Sequence, residues 1–160
     1  AKLIAHEFRS DHIDCIHGIP HSGNYLATAV ALALGNGARL HSSRKDQNVP
    51  MTWKDIYHEE IRSFTTSSSG MTVFAGINLS FVLPGDHVLI IDDVCATGET
   101  GTRIVEGLKK RGVNVVGFAV LFDKVFQEGL EEVAKLGVKV FSCVRVLAID
   151  RGDRIELASL

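Results

Sequence analysis

The feature that most constrains the fold of this chain is the apolar run from His87 to Ile91, which shows no polar alternation. A strand with one solvated face alternates apolar and polar residues, whereas a parallel strand covered on both faces is apolar throughout. The turn-forming residues at 84–86 directly precede the run. The run therefore predicts a central strand of a sheet that has helices on both sides.

Helix and strand patterns alternate along most of the chain. They predict strands at 14–17, 38–42, 113–121 and 138–144, helices at 24–34, 101–111 and 127–136, a partial helical stripe at 1–8 and a short terminal strand at 154–158. Parallel strands joined by helices form right-handed crossovers, and ligands bind at the carboxyl ends of the strands. We therefore predict an α/β, Rossmann-like fold with a mostly parallel central sheet flanked by helices, in a single domain over residues 1–160.

Two segments interrupt this alternation before the apolar run. The polar stretch at about residues 43–60 contains both acidic and basic side chains and predicts a mobile lid. Residues 61–66 and 71–76 are separated by Ser67-Ser68-Ser69-Gly70 and predict a β-hairpin insertion.

Two acids, Asp92 and Asp93, end the apolar run and are followed by the segment 94–101, which opens a helix. The small residues and glycines of this segment let backbone N–H groups approach a phosphate, and the helix N-terminus adds a positive dipole end. No Gly-Lys-Ser/Thr follows, and no GxGxxG pattern is present, so neither a Walker loop nor a dinucleotide fingerprint is indicated. The segment predicts a monophosphate pocket whose two carboxylates hold ribose hydroxyls or a hydrated Mg²⁺.

Composition excludes several classes of function. The net charge of −2 argues against a nucleic-acid surface, and no apolar run is long enough to span a membrane. The three cysteines have no zinc-binding spacing and are interpreted as free thiols of a cytoplasmic protein. Cys95 lies in the predicted phosphate segment, where either a helix N-terminus lowers its pKa or the residue simply packs.

The segment Val88–Thr100 resembles the thirteen-residue motif of type I phosphoribosyltransferases, which bind phosphoribosyl pyrophosphate (PRPP). The resemblance implies that Asp92 and Asp93 contact the ribose and hold Mg²⁺ indirectly. It further implies a 5-phosphate site formed by Ala96, Thr97, Gly98, Glu99 and Thr100. It implies a pyrophosphate loop formed by Ile19, Pro20, His21, Ser22 and Gly23. In the lid it implies two catalytic basic residues, Arg44 and Lys45.

Within that family, the segments 62–65, 83–88 and 123–129 resemble xanthine phosphoribosyltransferases and related purine enzymes. The resemblance implies transfer of the phosphoribosyl group to a purine base, with release of pyrophosphate. Lys124 is similar to a lysine that meets the exocyclic oxygen of a 6-oxopurine, and Phe122 is a candidate to stack on the base. The competing interpretation makes Lys124 a structural lysine beside Asp123.

Several alternatives stay open on the sequence. The tripeptide Thr97-Gly98-Glu99 is more typical of adenine and orotate enzymes than of xanthine enzymes. An N-terminal hood, a segment that helps select the base, is not recognisable in this sequence. A regulator that binds PRPP without turnover is a further possibility. The resemblance also implies a homodimer, although no interface can be read from the sequence.

Overall fold

The computed structural model describes residues 1–42, 82–150 and 154–158, and only the backbone of four two-residue strands between residues 45 and 77. The elements are α1 (Lys2–Glu7), β1 (Cys15–Gly18), α2 (Ser22–Leu34), β2 (Arg39–Ser42), β3 (Lys45–Asp46), β4 (Thr65–Thr66), β5 (Thr72–Val73), β6 (Gly76–Ile77), β7 (His87–Cys95), α3 (Glu99–Lys110), β8 (Asn114–Lys124), a 3₁₀ turn (Val125–Gln127), α4 (Gly129–Ala134), β9 (Lys139–Ile149) and β10 (Ile155–Leu157).

One six-stranded sheet organises the fold, in the order β10-β9-β8-β7-β1-β2. Neighbouring strands are parallel except β10, which runs antiparallel to β9. Because the chain leaves β1 toward β2 on one side and returns to β7 on the other, the strand order reverses between β1 and β7. Such a reversal opens a crevice at the carboxyl ends of the two strands. The predicted α/β class with a mostly parallel sheet is confirmed.

Two apolar clusters cover the two faces of the sheet. On one face, Ile4, Phe8, Ala27 and Val30 from α1 and α2 pack against buried residues of β1 and β7. On the other face, α3 and α4 supply Ile104, Val105, Leu108, Leu130 and Val133, which pack against β7 and β8. The two helices that follow β1 and β7 therefore lie on opposite faces, as expected when strand order reverses.

The prediction that the two acids end the central strand is wrong, because β7 continues to Cys95. Asp92, Val94 and Cys95 pair in parallel with Val120, Phe122 and Asp123 of β8. Strand β8 is likewise longer than predicted, and the pairing extends both strands past the apolar run. The acids consequently sit on a backbone held by neighbouring strands rather than in a free loop.

The insertion between β2 and β7 is described only in part. β4 pairs antiparallel with β5, in agreement with the predicted hairpin, and β3 pairs antiparallel with β6. Apart from the backbone of β3, the predicted lid at about 43–60 lies outside the described residues. No helix within the described part of the chain is long and apolar enough to cross a membrane.

Candidate active site

The predicted pyrophosphate loop lies directly beside Asp92. The N–H of Ile19 donates to the carbonyl oxygen of Ile91 at 2.9 Å, so the pairing of β1 with β7 continues into the loop. Gly23 lies in the first turn of α2, where an added Cβ would stand 2.8 Å from the Ile91 oxygen and 3.0 Å from Asp92 Cα and Oδ1. Only glycine allows the N-terminal turn of α2 to approach the end of β7 this closely.

The residues of the predicted pyrophosphate loop differ in their exposure to solvent. Ile19, Pro20 and Gly23 are buried, while His21 and Ser22 are exposed, and the peptide bond between Pro20 and His21 is cis. The Asn24 N–H donates to the His21 carbonyl oxygen at 3.2 Å. The loop therefore presents two polar residues at the carboxyl edge of the sheet, above the N-terminus of a 13-residue helix.

Asp92 and Asp93 are half-buried at the same edge. Asp92 Oδ1 accepts a hydrogen bond from the Asp93 N–H at 2.8 Å, which fixes the Asp92 side chain against its own backbone. Two adjacent carboxylates that keep partial access to solvent are suited to hold hydroxyl groups or a hydrated divalent cation.

The predicted phosphate segment forms the turn between β7 and α3. Gly98 has φ of 75° at the N-cap of α3, a left-handed conformation that favours glycine. Thr97 is exposed, Ala96, Glu99 and Thr100 are half-buried, and the Glu99 carboxylate pairs with Arg103 one turn later. The N-terminus of α3, with its positive dipole end, thus lies shortly after the carboxyl end of β7, the strand that carries Asp92.

Gly129 supports this turn from behind. An added Cβ at Gly129 would lie 2.1 Å from the Ala96 carbonyl oxygen and 2.3 Å from the Gly98 nitrogen, and one at Gly98 would lie 2.1 Å from the Gly129 oxygen. The backbones of the phosphate segment and of the start of α4 are therefore in direct contact. The sequence interpretation did not assign Gly129 this role, because the contact joins two segments about 30 residues apart in the chain.

Cys95 is a packing residue. It is 3% exposed within the core cluster, and burial raises the pKa of its thiol to about 12, with Asp123 and Asp92 contributing in the same direction. Of the two interpretations offered by the sequence, the structure favours packing over an activated thiol, because desolvation raises the pKa more than the hydrogen bond with the Gly98 backbone lowers it.

The residues predicted to meet the base lie at the end of β8. Phe122 is 39% exposed, and its partner on the neighbouring strand, Val94, is 36% exposed. The two side chains therefore form a small exposed apolar surface next to the acids. Lys124 is half-buried and ends β8, where it pairs with Val146. The 3₁₀ turn that follows leads directly to Gly129 and the phosphate segment.

Asp123 is not paired with Lys124. Its side chain is buried, and burial raises its pKa, while Arg145 on β9 lies 3.9 Å from Oδ2 and partly offsets this effect. Lys124 forms no ion pair or side-chain hydrogen bond with any other residue that the structure describes. The role of Lys124, as a base-binding residue or as a structural lysine beside Asp123, stays a prediction.

The structure does not describe the side chains of the two basic residues predicted to be catalytic. Arg44 lies outside the described residues, and Lys45 is described only as backbone in β3. Their position relative to Asp92 and Asp93 stays a prediction.

A buried histidine pair lies next to the site and was not foreseen as a pair. His17 and His41 are strand partners on β1 and β2, their Nδ1 atoms are 2.9 Å apart, and both side chains are buried. Burial lowers the pKa of His17 to about 3, helped by His41, and lowers that of His41 to about 4, helped by Arg111. Both rings are therefore neutral near pH 7, with one nitrogen donating to the other.

The chain is similar to known proteins along most of its length. The family described as "Phosphoribosyl transferase domain" matches residues 1–153. A xanthine phosphoribosyltransferase from Streptococcus agalactiae serotype Ia is 32% identical over 151 residues, which cover 94% of this chain and 75% of the relative. The corresponding protein of Bacillus licheniformis is 31% identical over 145 residues, covering 91% and 72%.

Solved structures give a related result for the fold. The adenine phosphoribosyltransferase from Rhodothermus marinus superposes with a TM-score of 0.70 at 26% identity, covering 89% of this chain and 75% of that one. The enzyme from Giardia lamblia, complexed with 9-deazaadenine, gives a TM-score of 0.71 at 26% identity, covering 90% and 76%. The sequence relatives are thus xanthine phosphoribosyltransferases, whereas the structural neighbours are adenine phosphoribosyltransferases.

Proposed function

The chain belongs to the phosphoribosyltransferase family, and from that premise we propose that it transfers the phosphoribosyl group of PRPP to a 6-oxopurine base. The products are a nucleoside 5′-monophosphate and pyrophosphate, which makes the protein an enzyme of purine salvage. Xanthine is the first candidate, with guanine and hypoxanthine next.

The observation that carries this proposal is that Asp92 contacts the N-terminal turn of α2 and lies shortly before the N-terminus of α3 in the chain. Gly23 brings the first turn of α2 into contact with Asp92, and Gly98 begins α3 only six residues after Asp92 in the chain. Each N-terminus offers unpaired N–H groups and a positive dipole end to a phosphate. PRPP carries phosphate at both ends of one ribose, so a site with two anion-binding helix termini and carboxylates between them matches its charge pattern.

We propose that each part of PRPP binds one of the predicted segments. The 5-phosphate binds at Ala96–Thr100, the pyrophosphate at Ile19–Gly23, and the ribose hydroxyls donate to Asp92 and Asp93. The contact of Gly129 with the phosphate segment keeps that segment in one conformation before the substrate arrives. Such preorganisation lowers the entropic cost of aligning the sugar with the base.

The half-buried carboxylates of Asp92 and Asp93 fit a hydrated Mg²⁺, because hard oxygen donors that leave room for water are the ligands this ion prefers. They would hold it indirectly, through its water molecules and the ribose hydroxyls. When bound, the ion neutralises charge on the departing pyrophosphate.

The reaction forms a bond between a purine nitrogen and the anomeric carbon as the bond to pyrophosphate breaks. Positive charge develops on the ribose, and the carboxylates of Asp92 and Asp93 stabilise it because they lie beside the sugar. The exposed Phe122 and Val94 supply an apolar surface for the base. Arg44 and Lys45 in the lid would contact the pyrophosphate and help exclude water.

Lys124 supports a 6-oxopurine over adenine. Among the described residues it has no competing acidic partner, and an ammonium group donates to the exocyclic oxygen of a 6-oxopurine but not to the amino group of adenine. The similarity to xanthine phosphoribosyltransferases, about one-third identical to this chain, also supports a 6-oxopurine as the base. The adenine enzymes are structural neighbours at 26% identity and support the shared fold and PRPP chemistry.

The test is product formation from PRPP and Mg²⁺ with xanthine, guanine, hypoxanthine, adenine and orotate offered separately. We expect nucleotide from a 6-oxopurine. Turnover of only adenine or orotate would overturn the choice of base and keep the reaction. PRPP binding without turnover of any base would indicate that the protein is a PRPP-binding regulator and not an enzyme.

A homodimer and a cytoplasmic location remain predictions. Sedimentation equilibrium over a range of protein concentrations measures the first directly.

A further inference from the structure

A cluster of metal-binding side chains lies at the amino edge of the sheet, away from the crevice. Asp14 directly precedes β1, His87 begins β7, and His12 lies two residues before Asp14. One donor atom from each of these three residues lies within 4.8 Å of the other two. His87 and Asp92 are five residues apart on one strand, or about 16 Å at 3.3 Å per residue, so the cluster is separate from the acids of the crevice.

From this cluster we propose that His12, Asp14 and His87 form a site for a divalent transition metal, with Zn²⁺ as the first candidate. Two imidazoles and one carboxylate are the ligand types that bind Zn²⁺ and its neighbours in the first transition row. Mg²⁺ prefers oxygen donors and does not fit this set. Three protein ligands leave at least one coordination position for water.

The distances are close to those of a formed site. His12 Nε2 lies 3.1 Å from Asp14 Oδ1, and His87 Nδ1 lies 3.0 Å from Asp14 Oδ2. Ligand atoms around a tetrahedral Zn²⁺ with bonds of 2.0–2.1 Å are about 3.3 Å apart. The two histidines contact different oxygens of Asp14, and their own donor atoms lie within 4.8 Å of each other, so side-chain rotations must bring the three ligands around one point.

Two of the three ligands are already held by the backbone. The Asp14 N–H donates to the His87 carbonyl oxygen at 2.9 Å, and the His87 N–H donates to Asp14 Oδ2, also at 2.9 Å. The ring of His12 packs edge-on against the ring of His87, with centroids 4.8 Å apart. This scaffold reduces the ordering cost of binding.

The exposure of the cluster allows an ion to enter. The side chains of His12 and His87 are 73% and 41% exposed, and that of Asp14 is 34% exposed. Water can therefore reach the three side chains and complete the coordination of a bound ion. The bound ion would connect the amino ends of β1 and β7, the two strands that border the crevice at their other end.

The experiment is calorimetric titration of the metal-free full chain with ZnCl₂ in a phosphate-free buffer, alongside His12→Gln and His87→Gln. His6→Gln is the matched control, because His6 is another exposed histidine close to the N-terminus and outside the cluster. We expect one zinc ion per chain for the wild type and His6→Gln, and at least about a tenfold loss of affinity for the two cluster variants.

Thermal unfolding gives a second readout that does not depend on activity. At a free Zn²⁺ concentration of 100 times the wild-type Kd, Tm should rise by about 5–10 °C for the wild type and His6→Gln, and by about half as much or less for His12→Gln. Equal zinc affinity in wild type and both cluster variants would overturn the proposal. So would a wild-type chain that binds no zinc, in which case the three residues form only a hydrogen-bonded cluster.

Discussion

Acid should destabilise this protein through the buried pair His17 and His41. The two rings are buried as neutral groups, and burial lowers their pKa values to about 3 and about 4. In the unfolded chain a histidine has a pKa near 6.5. Between these values the unfolded state binds protons that the folded state does not, so the free energy of unfolding falls as pH falls.

The magnitude follows from proton linkage. Between pH 7 and pH 5, a histidine that titrates near 6.5 when unfolded and near 3 or 4 when folded removes about 2 kcal/mol of stability. The two rings together remove up to about 4 kcal/mol, which is a large part of the total stability of a typical domain. Above pH 7 both states are neutral at these positions, and the loss disappears.

The perturbation is the double substitution His17→Asn with His41→Asn. Asparagine places an amide atom near the position of the histidine Nδ1, so one hydrogen bond across the 2.9 Å contact can be kept without a titrating group. The variant will be less stable at pH 7 because it leaves space in the core. The informative quantity is therefore the difference between pH 7 and pH 5, not the stability at either pH.

Urea unfolding followed by circular dichroism at both pH values measures this difference. With a slope of about 2 kcal/mol per molar urea, the wild type should lose up to about 2 M more in its midpoint than the double variant. His6→Gln removes an exposed histidine and should behave like the wild type. Parallel losses in wild type and double variant would refute the reasoning, because the buried pair would then contribute no linkage.

The remaining predictions concern the crevice. Asp93→Asn removes the charge of an acid proposed to contact the ribose without changing side-chain size, and steady-state kinetics should show a loss of kcat/KM of about tenfold or more; unchanged kinetics would remove the acid from the mechanism. Lys124→Ala should raise KM for a 6-oxopurine far more than KM for PRPP, with the exposed Lys110→Ala as control, and equal effects on both substrates would contradict a base-reading role. Gly129→Ala places a methyl group 2.1 Å from the Ala96 oxygen and forces the phosphate segment to move, so KM for PRPP should rise by about tenfold or more while far-UV circular dichroism stays unchanged; an unchanged KM would mean that the segment adapts without cost.

The architecture was predictable because it rests on local patterns. The run from His87 to Ile91 is apolar throughout because the strand is covered on both faces, and that pattern is visible without a structure. The segment after Asp93 was identified as a phosphate turn from its small residues and its position before a helix. In the structure, Gly98 has the left-handed conformation that such a turn requires.

Element ends were predicted less well, since they depend on neighbours. β7 continues through Asp92 to Cys95 because β8 offers hydrogen-bonding partners there, and β9 runs to Ile149 because β8 and β10 pair with it. A polar residue in a single sequence predicts the end of a strand, whereas a partner strand can extend it. Pairing between distant segments has no local signal.

The sequence by itself determined the order of strands and helices along the chain and the family, and it predicted the residues of the proposed phosphate turn, because each depends on residues close together in the chain. Only the tertiary structure decided that Gly129 contacts that turn, that Cys95 is buried and its pKa raised, and that His17 faces His41. These properties depend on distance and solvent access between segments far apart in sequence. Burial and proximity are created by packing, and packing arises only when the sheet has formed.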